Sequence, residues 1–189
     1  MRKLIERTVR KNDIENVASI PRGVPFAAID PGKHGAGIVF DAQGKVIKVL
    51  PFVAGDYSHF EFAQACVRAG VRLLVIEDQY LGKSFSSSST LGQSAGNVGG
   101  HLAAMWLQQP DMDPVYRVWV HPTTWASAVF QCAPNTKRIM RQRYAKQLAV
   151  KNARLLQLFK TLPVKAHDGI ADAHGIGCYW DPSVMLHAA

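Results

Sequence analysis

Runs and alternations of apolar residues divide the chain into elements. From Pro25 the pattern reads "PFAAID", a short apolar strand ending on Asp30, then a "PGKHG" turn, "AGIVFD" as a second strand, an "AQGK" turn and "VIKVLPFV" as a third. Connections this short join neighbouring antiparallel strands, so the three predict a meander. In "YSHFEFAQACVRAG" apolar residues return at Phe60, Ala63 and Val67, the spacing of one helical face, and Gly70 stands where the helix should end. "VRLLVIED" is apolar without a break, which predicts a strand covered on both faces and parallel to the first. A polar loop, "LGKSFSSSST", leads into "LGQSAGNVGGHLAAMWLQQ" as a helix, "VYRVWVHP" as a fifth strand and "TTWASAVF" as a short helix. "TKRIMRQRYAKQLAVKNARLLQLF" is a long basic amphipathic helix, and "DGIADAHGIGCYW" a last one.

This order predicts an α/β domain over residues 25–182, a mixed five-stranded sheet (three antiparallel strands plus two parallel) flanked by helices. Residues 1–24 are expected outside it, as a basic accessory helix or tail, and residues 183–189 as a C-terminal tail. Glu6, Asp13 and Glu15 and the lack of an apolar stretch argue against a transit or signal peptide at the start. A cytoplasmic protein is therefore expected, with a mitochondrial one as the alternative.

Composition narrows the partner. The 189 residues carry 22 Lys and Arg against 14 Asp and Glu, a net charge of +8. That excess suits a polyanion, nucleic acid before membrane, because no apolar run approaches the roughly 20 residues that span a bilayer. Cys66, Cys132 and Cys178 are odd in number and widely spaced. They form no zinc motif and suit a reducing compartment.

The chemistry concentrates in "AHDGIADAHGIG", where Asp168 and Asp172 lie one helical turn apart and Gly169 interrupts an otherwise helical run. Each aspartate costs about half a kcal/mol or more in a helix interior relative to alanine, so two on an apolar element call for a reason. A shared cation is one. Asp30 ends the first strand and Glu77 the fourth; if these are parallel neighbours, both carboxylates emerge at one sheet edge, and the last helix can bring Asp168 and Asp172 to it. Four carboxylates at close range repel unless cations neutralise them, and hard oxygen donors suit Mg2+ or Mn2+. Plainer roles stand beside these. Asp30-Pro31-Gly32 starts turns in many proteins, Asp78 competes with Glu77, and Asp168 suits a helix N-cap. His174, two residues past Asp172, faces elsewhere and reads as structural. The basic residues of the long helix also suit an ordinary solvated face.

Four segments resemble the RuvC-type Holliday-junction resolvases of the RNase H-like superfamily. "AIDPGKHGAGIVF" is similar to the family's first two strands; "LLVIEDQYLGKSFSSSSTLGQSAGNVGG" to its fourth strand, loop and next helix, with Glu77 at the usual spacing from Leu91-Gly92-Gln93; "WVHPTTW" to the fifth strand and its exit; and "DGIADA" to the terminal acidic pair. In many members the last two acids are spaced i and i+3. Here that position is Gly169 and the spacing is i, i+4, a form that resembles phage members, with His167 as another candidate for the fourth ligand. The resemblance implies an RNase H-like fold and a Mg2+-dependent endodeoxyribonuclease with two ions per site, Mn2+ substituting. Asp30, Glu77, Asp168 and Asp172 would be both catalytic residues and metal ligands. It also implies symmetrical paired nicks in four-way DNA junctions, cut by a homodimer built on the helix that carries Gly96, Gly99 and Gly100, in a bacterial or phage-infected cell. Tyr80, Lys83 and Phe85 in the loop after Glu77, and Lys137, Arg138, Arg141, Arg143 and Lys146 on the basic helix, are expected to contact DNA. A nuclease of branched or flap DNA in general, and a junction binder without activity, are the alternatives.

Overall fold

The computed structural model describes residues 4–9, 20–32, 34–52, 58–78, 100, 115–130, 139–140, 142–144, 146–147 and 153–186. Six strands form one sheet: β1 (Leu4–Val9), β2 (Phe26–Asp30), β3 (Ala36–Phe40), β4 (Val46–Pro51), β5 (Leu73–Glu77) and β6 (Val115–Val120). Their order across the sheet is β1-β6-β5-β2-β3-β4. The pairs β2–β3 and β3–β4 are antiparallel, as the short turns require. The pairs β2–β5, β5–β6 and β1–β6 are parallel. Five bounded helices accompany them, besides the helical residues at 100, 139–140, 142–144 and 146–147: α1 (Ser58–Arg68), α2 (Pro122–Phe130), α3 (Ala153–Thr161), α4 (Val164–Trp180) and the short α5 (Ser183–Leu186). None is long and apolar enough to cross a membrane.

The turn chemistry is local. Between β3 and β4, the Asp41 carboxylate accepts the backbone N–H groups of Gln43 and Lys45, both at 2.9 Å, and Gly44 takes a φ of 82° that other residues rarely adopt. Alternation then splits the strands between two apolar layers. Ala27, Ile29, Val39, Leu74 and Ile76 face Phe62, Ala63 and Cys66 of α1. Phe26, Ala28, Ile38, Phe40, Leu73, Val75, Val118 and Val120 face the other way, towards Trp125 of α2 and Ile170, Ala171, Ala173 and Ile176 of α4. The central strands are covered on both sides, which is why their sequences are continuous apolar runs.

Two expectations are corrected. Among the described residues the sheet has six strands rather than five, because part of the N-terminal segment expected as helix or tail is the edge strand β1, running Leu4↔Val115 to Val9↔Val120 beside β6. An edge strand has one neighbour and tolerates charge on its outer positions. Arg7 and Thr8 are exposed while Val9 is buried, so the apolar signal shrinks to a few residues. At the other end, α5 lies where a tail was expected to begin. Val184 is buried, and the Ser183 hydroxyl donates to the carbonyl of Gln43 at 3.2 Å.

Candidate active site

Two carboxylates end neighbouring parallel strands. The last register pair of β2 and β5 is Ile29↔Ile76, and the next residue on each is Asp30 and Glu77. Period-two alternation continues Phe26 and Ala28 into Asp30, and Leu73 and Val75 into Glu77, so both belong to the α4 face of the sheet. Asp30 is half-buried, and its Oδ1 accepts the backbone N–H of Gly32 at 3.0 Å, which shapes the turn into β3. Glu77 is buried, and its Oε1 accepts the indole N–H of Trp125 at 3.2 Å. Asp78, the competing acid, lies past the end of the strand, where its backbone N–H donates to the Val120 carbonyl at 2.8 Å.

The second pair rides on α4. This helix starts at Val164 with Pro163 as N-cap, so Asp168 sits in its second turn and is not the cap that aspartate chemistry suggested. Gly169 has a packing role: a Cβ there would collide with the carbonyl oxygen of His34 and lie 2.7 Å from the Cα of Gly35. Only a residue without a side chain lets the helix lie directly on the β2–β3 turn. Asp168 and Asp172 flank that crossing on one side of the helix, next to the turn that Asp30 opens. Asp168 is half-buried; Asp172 is 3% exposed. A carboxylate buried that far from water demands compensation.

Asp30 and Glu77 thus end adjacent strands on the face that α4 covers, and Gly169, beside Asp168, packs on the turn that follows Asp30. The four acids are not clustered on a common point: among the described residues no three His, Cys, Asp or Glu side chains are grouped closely enough to hold a metal ion. The donor set still suits a hard divalent cation, being entirely carboxylate oxygen with no sulfur or imidazole in it.

The two histidines of α4 make contacts of their own. His167 Nε2 donates to the Leu162 carbonyl at 3.0 Å and its ring packs edge-on against Phe159, which fixes the corner between α3 and α4. His174 is buried, with Nδ1 2.6 Å from the Tyr144 hydroxyl and 3.4 Å from Cys178 Sγ, while Tyr144 and Cys178 are 3.1 Å apart. Burial lowers the His174 imidazole to about 4 and raises the Cys178 thiol to about 11, so both are neutral near pH 7. Their role is to hold Tyr144, and with it the basic segment, against α4.

Residues 139–140, 142–144 and 146–147 of that segment are helical, with Tyr144 turned inward and Arg143 and Lys146 exposed. Tyr80, Lys83, Phe85, Lys137, Arg138 and Arg141 lie outside the described residues, as does the expected dimer helix except for an exposed, helical Gly100. Trp125, bonded to Glu77, is a contact that the pattern did not single out. Its one signal was its place in "WVHPTTW", directly after the strand beside Glu77.

No family model matches the sequence, and no curated protein matches it. Solved structures do. The yeast mitochondrial Holliday junction resolvase Ydc2 matches with a TM-score of 0.53 and 13% identity, over 91% of this chain and 85% of that one. The fowlpox virus resolvase, solved with its substrate Holliday junction DNA, matches with a TM-score of 0.51 and 12% identity, over 84% of this chain and 98% of that one. At these identities the likeness is one of fold, and it extends over nearly the whole chain: the mixed sheet and its flanking helices are the RNase H-like architecture of these two resolvases.

Proposed function

We propose that this protein is a structure-selective endonuclease that resolves four-way DNA junctions by metal-dependent hydrolysis. The observation that carries the reading is Asp30 and Glu77 at the ends of adjacent parallel strands, facing a helix whose Asp168 and Asp172 flank its glycine crossing at the same edge. The fold shared with two Holliday junction resolvases supports it.

Asp30, Glu77, Asp168 and Asp172 would hold two Mg2+ ions, with Mn2+ as a substitute. Ions so held supply an activated water and neutralise charge on the departing 3′ oxygen. The chain's own contribution is position and charge. Strand ends fix Asp30 and Glu77, and Gly169 fixes the height of the helix that offers the second pair. Exposed Arg143 and Lys146 sit on the segment anchored to that helix by Tyr144, where they can meet phosphates. Tyr80, Lys83, Phe85, Lys137, Arg138 and Arg141 are proposed as further DNA contacts on the sequence alone. A homodimer would present two sites about a two-fold axis, the symmetry of a four-way junction. The buried thiols of Cys66 and Cys178 suit a reducing compartment.

The test is cleavage of a synthetic mobile four-way junction with Mg2+, beside a flap and a plain duplex. Paired symmetrical nicks leaving 5′ phosphates are expected on the junction. Equal cutting of the flap favours the broader branched-DNA nuclease, and binding without cutting at saturating Mg2+ or Mn2+ overturns the enzymatic reading.

A further inference from the structure

We infer that Trp125 is a positioning residue of this site, one that holds Glu77 in place and ties it to the helix carrying Asp168 and Asp172; the inference rests on the nuclease reading above. Trp125 is completely buried. Its indole Nε1 lies 3.2 Å from Glu77 Oε1. A Cβ on Gly175 would lie 2.8 Å from its ring, so the indole is wedged against the backbone of α4. One side chain therefore touches a carboxylate at the end of β5 and the helix that brings the second acidic pair.

The topology makes this placement specific. Glu77 lies beside Val120 in the register of β5 and β6, and α2 begins two residues after Val120. The first turn of α2 is thereby carried to the edge where the strand carboxylates emerge. An indole N–H only donates, so it can bond to Glu77 as an acceptor and cannot compete with it for a proton or a cation. A donor fixed on one carboxylate oxygen sets the plane of the group. Where ligating carboxylates are oriented this way, loss of the orienting partner weakens metal affinity or activity by about 10- to 100-fold. A tryptophan that merely fills the core predicts something else. Its ring volume would then matter, its N–H would not, and phenylalanine would replace it at a cost in stability alone.

The experiment uses the full chain labelled with 15N at its tryptophans. The sequence holds four tryptophans, hence four indole N–H signals, and the one missing from Trp125→Phe is that of Trp125. This signal is expected to shift in Glu77→Ala and to be broadened by Mn2+ ahead of the others. In four-way junction cleavage, Trp125→Phe should raise the Mg2+ concentration for half-maximal rate by about 10- to 100-fold, with junction affinity in the absence of divalent cations unchanged. An indole signal indifferent to both Glu77→Ala and Mn2+ overturns the inference, as does wild-type Mg2+ dependence in a folded Trp125→Phe. Should Trp125→Phe not fold, the signal is assigned through the backbone and the spectra of Glu77→Ala decide alone. A wild type that shows the Mn2+ effect at Trp125 but cuts no junction overturns the substrate reading above and supports the positioning role.

Discussion

The two faces of the sheet are built from alternate residues of the same strands, yet they end differently. On the α1 face, Ala27 and Ile29 of β2 and Leu74 and Ile76 of β5 are apolar to the strand end and meet an apolar layer of Phe62, Ala63 and Cys66. On the α4 face the same two strands stay apolar through Ala28 and Val75 and then close on Asp30 and Glu77. Each face also has a glycine that accepts a close neighbour, but the neighbours differ. Gly37 makes room for the Phe62 ring, a side chain, whereas Gly169 makes room for the backbone of the β2–β3 turn. One face is built for burial. The other spends stability, in half-buried and buried acids, to set charge at a defined edge.

The largest expected effect falls on that edge. Asp30→Asn removes a carboxylate and keeps its shape, and cleavage should fall by more than about 100-fold, since loss of an orienting partner alone can cost that much. Junction binding should hold or strengthen, because one negative charge near phosphates is gone. Glu77→Gln, Asp168→Asn and Asp172→Asn should follow. Single-turnover cleavage with a parallel binding titration reads this out, and undiminished cutting at saturating Mg2+ by any of the four removes that residue from the site. If Asp168→Asn cuts normally and His167→Ala does not, the fourth ligand is His167.

The other face should answer in stability. Phe62→Ala empties a fully buried site under α1 and should cost about 3–5 kcal/mol in chemical denaturation. Its cleavage rate, measured well below the midpoint, should stay near wild type. A large loss of cleavage in that folded variant would mean that the two faces are not separable as described.

What was legible in the sequence follows the range of the interactions. The parallel β2–β5 pairing could be read from unbroken apolar runs, and the shared face of Asp168 and Asp172 from their i, i+4 spacing, whereas alternation leaves Glu77 and Asp78 open and only the family resemblance selects Glu77. Gly169 could be read as an oddity but not explained, because the atoms it accommodates, His34 O and Gly35 Cα, are brought to it by the fold. Trp125 was hidden for the same reason: its partner is 48 residues away, on another element. The edge strand β1 was missed because exposed Arg7 and Thr8 broke a six-residue pattern that only pairing with β6 resolves. Asp168 suits a helix cap by its own chemistry, yet the helix starts four residues earlier, at Val164, where the Pro163 that precedes it carries no such side-chain signal.

The two glycines separate the faces by a smaller effect. Overpacking a filled site costs about 1–3 kcal/mol, and both Gly37→Ala and Gly169→Ala should destabilise by that order. They should part on activity. In Gly37→Ala the Phe62 ring can move and the acids stay where they are. In Gly169→Ala backbone must move, and with it Asp168 and Asp172, so cleavage should fall well beyond what stability explains. Denaturation midpoints and cleavage rates on the same preparations check this, and equal activity in the two variants would show that the helix height is not critical.

The smallest effect concerns the anchored basic segment, whose Met140 and Tyr144 pack against the apolar layer of the α4 face. The Tyr144 hydroxyl, 2.6 Å from His174 Nδ1, keeps the inner side of that segment fixed, while Arg143 and Lys146 stay exposed. If they meet phosphates, each releases counterions on binding, and each substitution by alanine should lower the slope of log affinity against log salt by roughly 0.9. The loss should be the same for any junction sequence, because phosphate contacts read no bases. Tyr144→Phe should leave the charges in place and remove only the anchor, at a cost of about 0.5–1.5 kcal/mol in stability, with the slope unchanged. A salt titration of junction binding separates these outcomes. Unchanged slopes for both Arg143→Ala and Lys146→Ala would make this stretch a solvated surface, and the DNA path would then have to be sought elsewhere along the acidic edge.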